Sequence, residues 1–205
     1  MEAIKKIIKT FEKSKGPNPL FSFLEILNVL EIIWKMKVIG RQKLSIETGL
    51  GEGSIRTIIK WLKKLNLIES TRLGCKLTKR GTRVIQEIKS KIGPTIPVSK
   101  SFLAIGDSNV GILVKGVGDK VKNGIEQRDA AIKAGATAAT TIIFRKKSLI
   151  LPSISNSINK EWPKLAKEIQ QIFQPKENDV IIICSAKNKL LAERGAKAAA
   201  WSLIE

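Results

Sequence analysis

Gly93, Pro94 and Pro97, within the six residues Ile92-Gly93-Pro94-Thr95-Ile96-Pro97, divide the chain into two parts that obey different rules. A glycine and two prolines so close together end a helix and favour extended backbone. Before this breaker the apolar residues recur at helical spacing, apart from one short hairpin. After it, glycine-rich turns separate short β-branched runs from helices. The 205 residues suffice for two domains of about 100 each. The expected division is residues 1–92 and residues 98–205, with no internal repeat and no low-complexity tract in either.

Residues 1–92 read as helix, helix, helix, hairpin, helix. Phe21 to Lys35 is apolar on most faces, through Phe23, Leu24, Leu27, Leu30, Ile33 and Trp34, which predicts a central buried helix. Arg41 to Thr48 is a short second helix, ended by the three-glycine turn Gly49-Leu50-Gly51-Glu52-Gly53. In Ser54 to Leu65, Ile55, Ile58, Ile59, Leu62 and Leu65 follow the i, i+3, i+4, i+7 rule, so the third helix turns its isoleucines to the core. Its other face carries Ser54, Arg56, Thr57, Lys60, Lys63 and Lys64. Strands Leu67–Thr71 and Cys75–Thr78 follow, joined by Arg72-Leu73-Gly74. A last helix, about Lys79–Lys91, sets Val84, Ile85, Ile88 and Ile92 on one side.

Charge points to a partner. The chain holds 37 Lys and Arg against 18 Asp and Glu, a net +19. Residues 1–92 hold 20 against 8, and the longer stretch 93–205 holds 17 against 10, so the first half is where a polyanion is expected to dock. The plain alternative is that these lysines only solvate the surface. There is no histidine, which removes Ser-His-Asp and Cys-His catalysis, histidine zinc sites and a histidine pH switch. The two cysteines, Cys75 and Cys184, lie far apart in the chain and cannot supply a four-cysteine zinc site or a disulfide framework. No metal, cofactor or catalytic residue is expected. Met1 to Lys15 carries Glu2 and Glu12 and offers no signal-peptide core. Leu20 to Trp34 is interrupted by Ser22, Glu25, Asn28 and Glu31, so no membrane span is expected and a cytoplasmic location is.

Three stretches carry a resemblance when taken in order. They are Leu44-Ser45-Ile46-Glu47-Thr48-Gly49-Leu50-Gly51-Glu52-Gly53-Ser54-Ile55-Arg56, then Leu62-Lys63-Lys64-Leu65-Asn66-Leu67-Ile68, then Leu77-Thr78-Lys79-Arg80-Gly81. About residues 20–92 resemble the winged helix-turn-helix domain. That resemblance implies a third helix lying in the major groove of duplex DNA. Ser54, Arg56 and Thr57 near its start would read bases, with Arg56 able to fork onto guanine N7 and O6. Gly51 and Gly53 would admit a phosphate to the helix N-terminus. Lys60, Lys63 and Lys64 would meet phosphates, which adds affinity without sequence information. Arg72 and Lys76 in the wing, with Lys79 and Arg80 after it, would grip the backbone or the minor groove.

Residues 98–205 read as strand (Phe102–Ile105), turn, strand (Val110–Lys115), glycine-rich loop, helix (Ile125–Ala134), strand (Ala138–Phe144), tight turn, strand (Leu149–Leu151), helix (Glu161–Phe173), strand (Val180–Cys184) and final helix (Lys189–Leu203). One tight hairpin forces an antiparallel pair, so a mixed sheet in an α+β or split βαβ arrangement is expected. Two loops are candidates for a small anionic metabolite. The first runs from Gly116 to Gly124, with Gly118, Lys120 and Lys122, and leads into Gln127 and Arg128 on a helix start. It is neither a Walker loop nor a dinucleotide fingerprint. The second is the end of the last strand at Ser185. Asp107, Asp119, Glu126 and Asp129 show no diagnostic carboxylate spacing.

The layout as a whole includes Gly124-Ile125-Glu126-Gln127-Arg128-Asp129-Ala130-Ala131-Ile132-Lys133-Ala134-Gly135-Ala136-Thr137 and Gly195-Ala196-Lys197-Ala198-Ala199-Ala200. It is similar to an archaeal family that fuses a winged helix to a C-terminal α/β domain of unknown function. The reading is a homodimeric transcriptional regulator that binds double-stranded DNA and senses a small anionic metabolite. Two rivals stand beside it: a metabolite-converting enzyme with the winged helix as docking module, and a chromatin-coating protein with little base preference.

Overall fold

A computed structural model describes residues 21–204; the Met1–Lys15 stretch discussed above lies outside the described residues. The chain divides into two compact units, one ending at Ile88 and the other starting at Lys89.

In the first unit, helix α1 (Phe23–Met36) is followed by the two-residue strand β1 (Val38–Ile39), α2 (Arg41–Thr48), α3 (Glu52–Lys64), the hairpin β2 (Ile68–Thr71) and β3 (Gly74–Leu77), and α4 (Lys79–Lys91). The core is aliphatic: Ile26, Val29, Leu30 and Ile33 of α1, Leu44 of α2, and Ile55, Ile58 and Leu62 of α3 are fully buried. That matches the period of the isoleucines in the sequence. The strands form a three-stranded antiparallel sheet in the order β1-β3-β2. Strand β1, which the sequence did not announce, pairs Val38 with Lys76 and Ile39 with Cys75. The Ile39 carbonyl comes so close to Gly74 that a Cβ there would lie 2.4 Å from it.

The second unit carries β4 (Ile96–Pro97), β5 (Ser108–Val114), a 3-10 turn at Gly118–Lys120, α5 (Ile125–Lys133), β6 (Ala138–Arg145), β7 (Ser148–Ile150), α6 (Ile158–Glu161), α7 (Pro163–Phe173), β8 (Val180–Ala186) and α8 (Lys189–Ser202). The architecture of the chain is α+β: a helical domain with a small sheet, then a sheet-containing domain. The sheet is not mixed, however. Its order is β4-β5-β8-β6-β7, and every neighbouring pair is antiparallel. Strands β5 and β6 do run in the same direction with α5 between them in the chain. Yet β8 is inserted between them and opposes both, so the expected parallel contact never forms.

Two further expectations change. The run Phe102–Ile105 is not a strand: Ser101 and Ala104 exchange both backbone hydrogen bonds (3.1 and 3.0 Å) around a turn, leaving Phe102 and Ile105 exposed. The edge of the sheet is instead filled by Ile96 and Pro97, from the segment that the sequence presents as a linker. Pro97 is tolerated because an edge strand has spare backbone donors.

One face of the sheet, with Ile142, Leu149, Ile181 and Ile183, packs against Ala166, Ile169 and Phe173 of α7. On the alternate residues the other face lies against α5 and α8. Strand β8 is buried at all seven positions, as a central strand covered on both faces must be. The alanines of α8 permit close approach: Gly195 sits so near Ala136 that a Cβ would meet it at 2.6 Å.

Candidate functional site

Helix α3 begins at Glu52, two residues earlier than its isoleucine pattern suggests, because Gly51 serves as N-cap and its carbonyl accepts from Ile55 N–H at 3.1 Å. The turn before it is held by local hydrogen bonds. Gly49 ends α2 in the left-handed region (φ +70), its N–H bonding back to Ser45 O at 2.9 Å, and Thr48 Oγ1 donates to Leu44 O at 2.7 Å. This turn sets α3 against α2 with its apolar side inward. Arg56, Thr57, Lys60, Lys63 and Lys64 are exposed on the opposite side, and Ser54 is half-buried. Thr57 Oγ1 donates to Gly53 O at 3.0 Å.

No carboxylate among the described residues makes an ion pair with Arg56, Lys60, Lys63 or Lys64. The one acidic residue of the first turn, Glu52, is paired with Arg41 at 3.6 Å. In the wing, Arg72 is exposed at the hairpin tip, whose turn is braced by Thr71 Oγ1 donating to Gly74 O at 3.0 Å. Lys76 faces Glu69 across the strands at 3.0 Å, so its charge is compensated within the sheet. Lys79 and Arg80 are exposed in the first turn of α4, which holds no acidic residue. Cations there oppose the positive end of the helix dipole. The start of α4 is locked by Thr78, whose hydroxyl donates to Asn66 O at 2.7 Å and accepts from Gly81 N at 3.0 Å. Cys75 is buried in strand β3.

The residues singled out in the second half do not converge on one place. Gly116 adopts φ +65 and its N–H donates to Asp179 Oδ1 at 2.8 Å. Gly118 lies against Asn178, whose Oδ1 would be 2.6 Å from an added Cβ. Lys120 Nζ donates to Leu203 O at 2.7 Å and so tethers the chain just past the end of α8. Lys122 is paired with Glu126 at 3.5 Å on the surface. Gln127 is buried, with its amide 3.4 Å from Ser202 Oγ, and Ser185 Oγ donates at 2.7 Å to Oδ1 of Asn109, its cross-strand partner on β5. Of the carboxylates, Asp119 is bound by Arg145 and by Asn178, whose Nδ2 donates at 2.8 Å. Cys184 is fully buried, and burial pushes its thiol up to about 12.

Gly124 and Arg128 do come together, on the wall of a pocket of about 310 Å³. Thr140 and Thr141 of β6 and the segment Leu151–Ile154 line the same pocket. Thr141 is the side chain that the sequence reading missed. It is a hydroxyl set on a strand face whose neighbours, Ala139 and Ile143, are apolar, and that break in the pattern is the signal that could have found it. No group of three or more potential metal ligands occurs among the described residues.

Comparison with known proteins places these units in context. Residues 25–92 match the model described as the CggR N-terminal DNA binding domain. Residues 105–203 match the Domain of unknown function DUF4443. No curated protein matches the chain. Among solved structures, a hypothetical protein from Pyrococcus horikoshii OT3 is similar at 28% identity and TM-score 0.64, over 87% of this chain and 91% of that one. No helix of the described residues is long and apolar enough to cross a membrane. The chain thus joins an N-terminal domain of DNA-binding type to a C-terminal domain similar to DUF4443, the same order as the fusion that its sequence resembles.

Proposed function

We propose that this chain is a transcriptional regulator of the cytoplasm, which binds duplex DNA through α3 and the wing and senses a small anionic metabolite in its second domain. The observation that carries the DNA reading is the exposed face of α3, where Arg56, Lys60, Lys63 and Lys64 stand together without a carboxylate partner among the described residues. Four like charges on one helix face repel one another, and a polyanion relieves that repulsion. Arg56, nearest the helix start, is the base reader; Lys60, Lys63 and Lys64 meet phosphates. Ser54 and Thr57 add short contacts at the same end.

Lys79 and Arg80 support the same reading, because exposed cations at a helix N-terminus are unfavourable until an anion joins them. Arg72 extends the grip from the wing, while Lys76 adds less because Glu69 already holds it. A homodimer that reads two half-sites gives the specificity a single short site lacks. The solved relative from Pyrococcus horikoshii OT3 is in keeping with an archaeal lineage. Catalysis is not part of this proposal.

The test is binding of the full chain to genomic fragments with competitor DNA across a salt series. Retention of a few fragments at about 0.15 M salt supports a sequence-specific regulator. Uniform, salt-labile retention points to a chromatin-coating protein. A folded Arg56→Glu, Lys60→Glu variant that binds as well as the parent would sink the assignment of α3.

A further inference from the structure

The geometry points to the pocket of about 310 Å³ between the first turn of α5, β6 and the Leu151–Ile154 segment as the binding site for a small carboxylate with a short apolar body. This deepens the sensory half of the proposed function by giving it a place and a ligand class.

The charge of the pocket selects an anion. Arg128 is the one ionisable side chain on its wall, and no carboxylate lines it. Arg128 holds Asp129 through Nε (3.4 Å) and one terminal nitrogen (3.3 Å), both directed at the same Asp129 oxygen. A guanidinium has five N–H donors, so the pair leaves others for a ligand carboxylate. Glu126, the other acid in this helix turn, is engaged by Lys122. The first turn of α5 adds the positive end of a nine-residue helix; Asn123 Oδ1 accepts from its first N–H, Ile125, at 3.1 Å, and Gly124 at the N-cap position has no side chain to cap the next ones.

The second, independent observation is Thr141. It is 6% exposed, and its Oγ1 is buried without a hydrogen-bond partner in the structure. A buried hydroxyl left unpaired destabilises the fold, and Thr141 lines the pocket, so a ligand bound there is placed to relieve that cost. A ligand carboxylate in the pocket supplies an acceptor oxygen. Gly124 makes room for this arrangement: a Cβ there would lie 3.1 Å from Thr141 Cβ, at a φ of +79 that side chains disfavour. Ile125, Leu151, Pro152 and Ile154 add apolar surface, which suits an apolar ligand body, while Asn123 and Ser153 are the other polar residues of the lining. The volume lies at the small end of the range of about 300–1,000 Å³ for ligand pockets, so the body is short and a dinucleotide does not fit.

The test titrates hexanoate, and its neutral counterpart hexanamide, into the ¹⁵N-labelled full chain without DNA. Hexanoate is expected to shift the Gly124, Ile125, Arg128 and Thr141 amides saturably, and hexanamide to leave them in place. Arg128→Gln is expected to weaken hexanoate binding roughly tenfold or more, since it removes a charge-assisted contact. Thr141→Val is expected to raise the melting temperature of the ligand-free protein, because the unpaired hydroxyl is gone, and to weaken hexanoate binding. A purely structural threonine would instead give a lower melting temperature and an unchanged affinity for hexanoate. The assignment is overturned by an equal response to hexanamide, by no saturable shift with hexanoate, by affinity that survives either variant, or by inorganic phosphate shifting these amides where hexanoate does not. DNA takes no part in this assay, so its failure leaves the α3 reading standing, and failure of the genomic-fragment test leaves the pocket standing.

Discussion

Replacing Gly81 by alanine sets a helix preference against a steric limit. In the first turn of α4 a Cβ on residue 81 would lie 2.0 Å from Leu67 O, 2.9 Å from Leu67 C and 3.3 Å from Leu67 Cα, all of them backbone atoms. The oxygen is therefore well over 1 Å too close for ordinary contact. It cannot step aside freely, because Leu67 O accepts from Thr78 N at 3.0 Å, Leu67 N donates to Leu62 O at 2.9 Å, and the side chain is fully buried. Overpacking of this kind costs about 1–3 kcal/mol, and a strained hydrogen bond adds about 1 kcal/mol. Alanine returns up to about 1 kcal/mol through its helix propensity. The net expectation is a loss of about 2 kcal/mol, read as a drop of about 1 M in the urea midpoint of the first unit. Hydrogen exchange at residues 62–81 reports that unit separately from the second. A variant as stable as the parent, or more so, would refute the close-approach argument.

Other substitutions test separate parts of the account. Gly53→Ala meets nothing within 4 Å and stands in helical backbone, so it is expected to stabilise the fold by up to about 1 kcal/mol while weakening DNA binding if a phosphate approaches there. Lys63→Ala with Lys64→Ala is expected to flatten the log–log salt dependence of DNA binding by about 2 per chain, measured by fluorescence anisotropy. Asp179 accepts from Gly116 N and Lys176 N, both at 2.8 Å, and is 4% exposed. Asp179→Ala is expected to lower the melting temperature by about 10 °C, and Asp179→Asn by less. Cys184 is held protonated to about pH 12 while the unfolded thiol ionises near 9, so above pH 9 the unfolded state carries fewer protons. Stability is then expected to fall through pH 9–12 at up to about 1.4 kcal/mol per unit, and Cys184→Ala to remove that part of the alkaline slope.

What the sequence reveals depends on how local the cause is. Helix α3 is legible because five apolar residues at helical spacing state both its face and its partner side. The isoleucine run of β8 is legible because a strand covered on both faces needs no alternation. Strand β1 is two residues long and exists only through β3, so nothing in Val38-Ile39 announces it. Phe102–Ile105 has strand-like composition, but Pro97 and Ile96 take the edge position and leave it to turn. The pocket fared similarly. Gly124 and Arg128 stand out on a glycine-rich loop and a helix start, whereas Thr140 and Thr141 reach the same pocket from a strand 12 or more residues away, which no spacing rule connects.

The insertion of β8 between β5 and β6 also governs the order in which the molecule can assemble. The first unit is made of neighbours in sequence, and its buried apolar residues all precede Ile88. The second has its middle strand supplied almost last, so until Val180–Ala186 emerges β5 and β6 each offer an open edge across an empty lane. Non-local pairing of this sort is slow and exposes unpaired strands meanwhile. During synthesis the first domain is therefore ready well before the second. A chain cut short after α7 would keep a competent first domain and carry a sheet split down its centre.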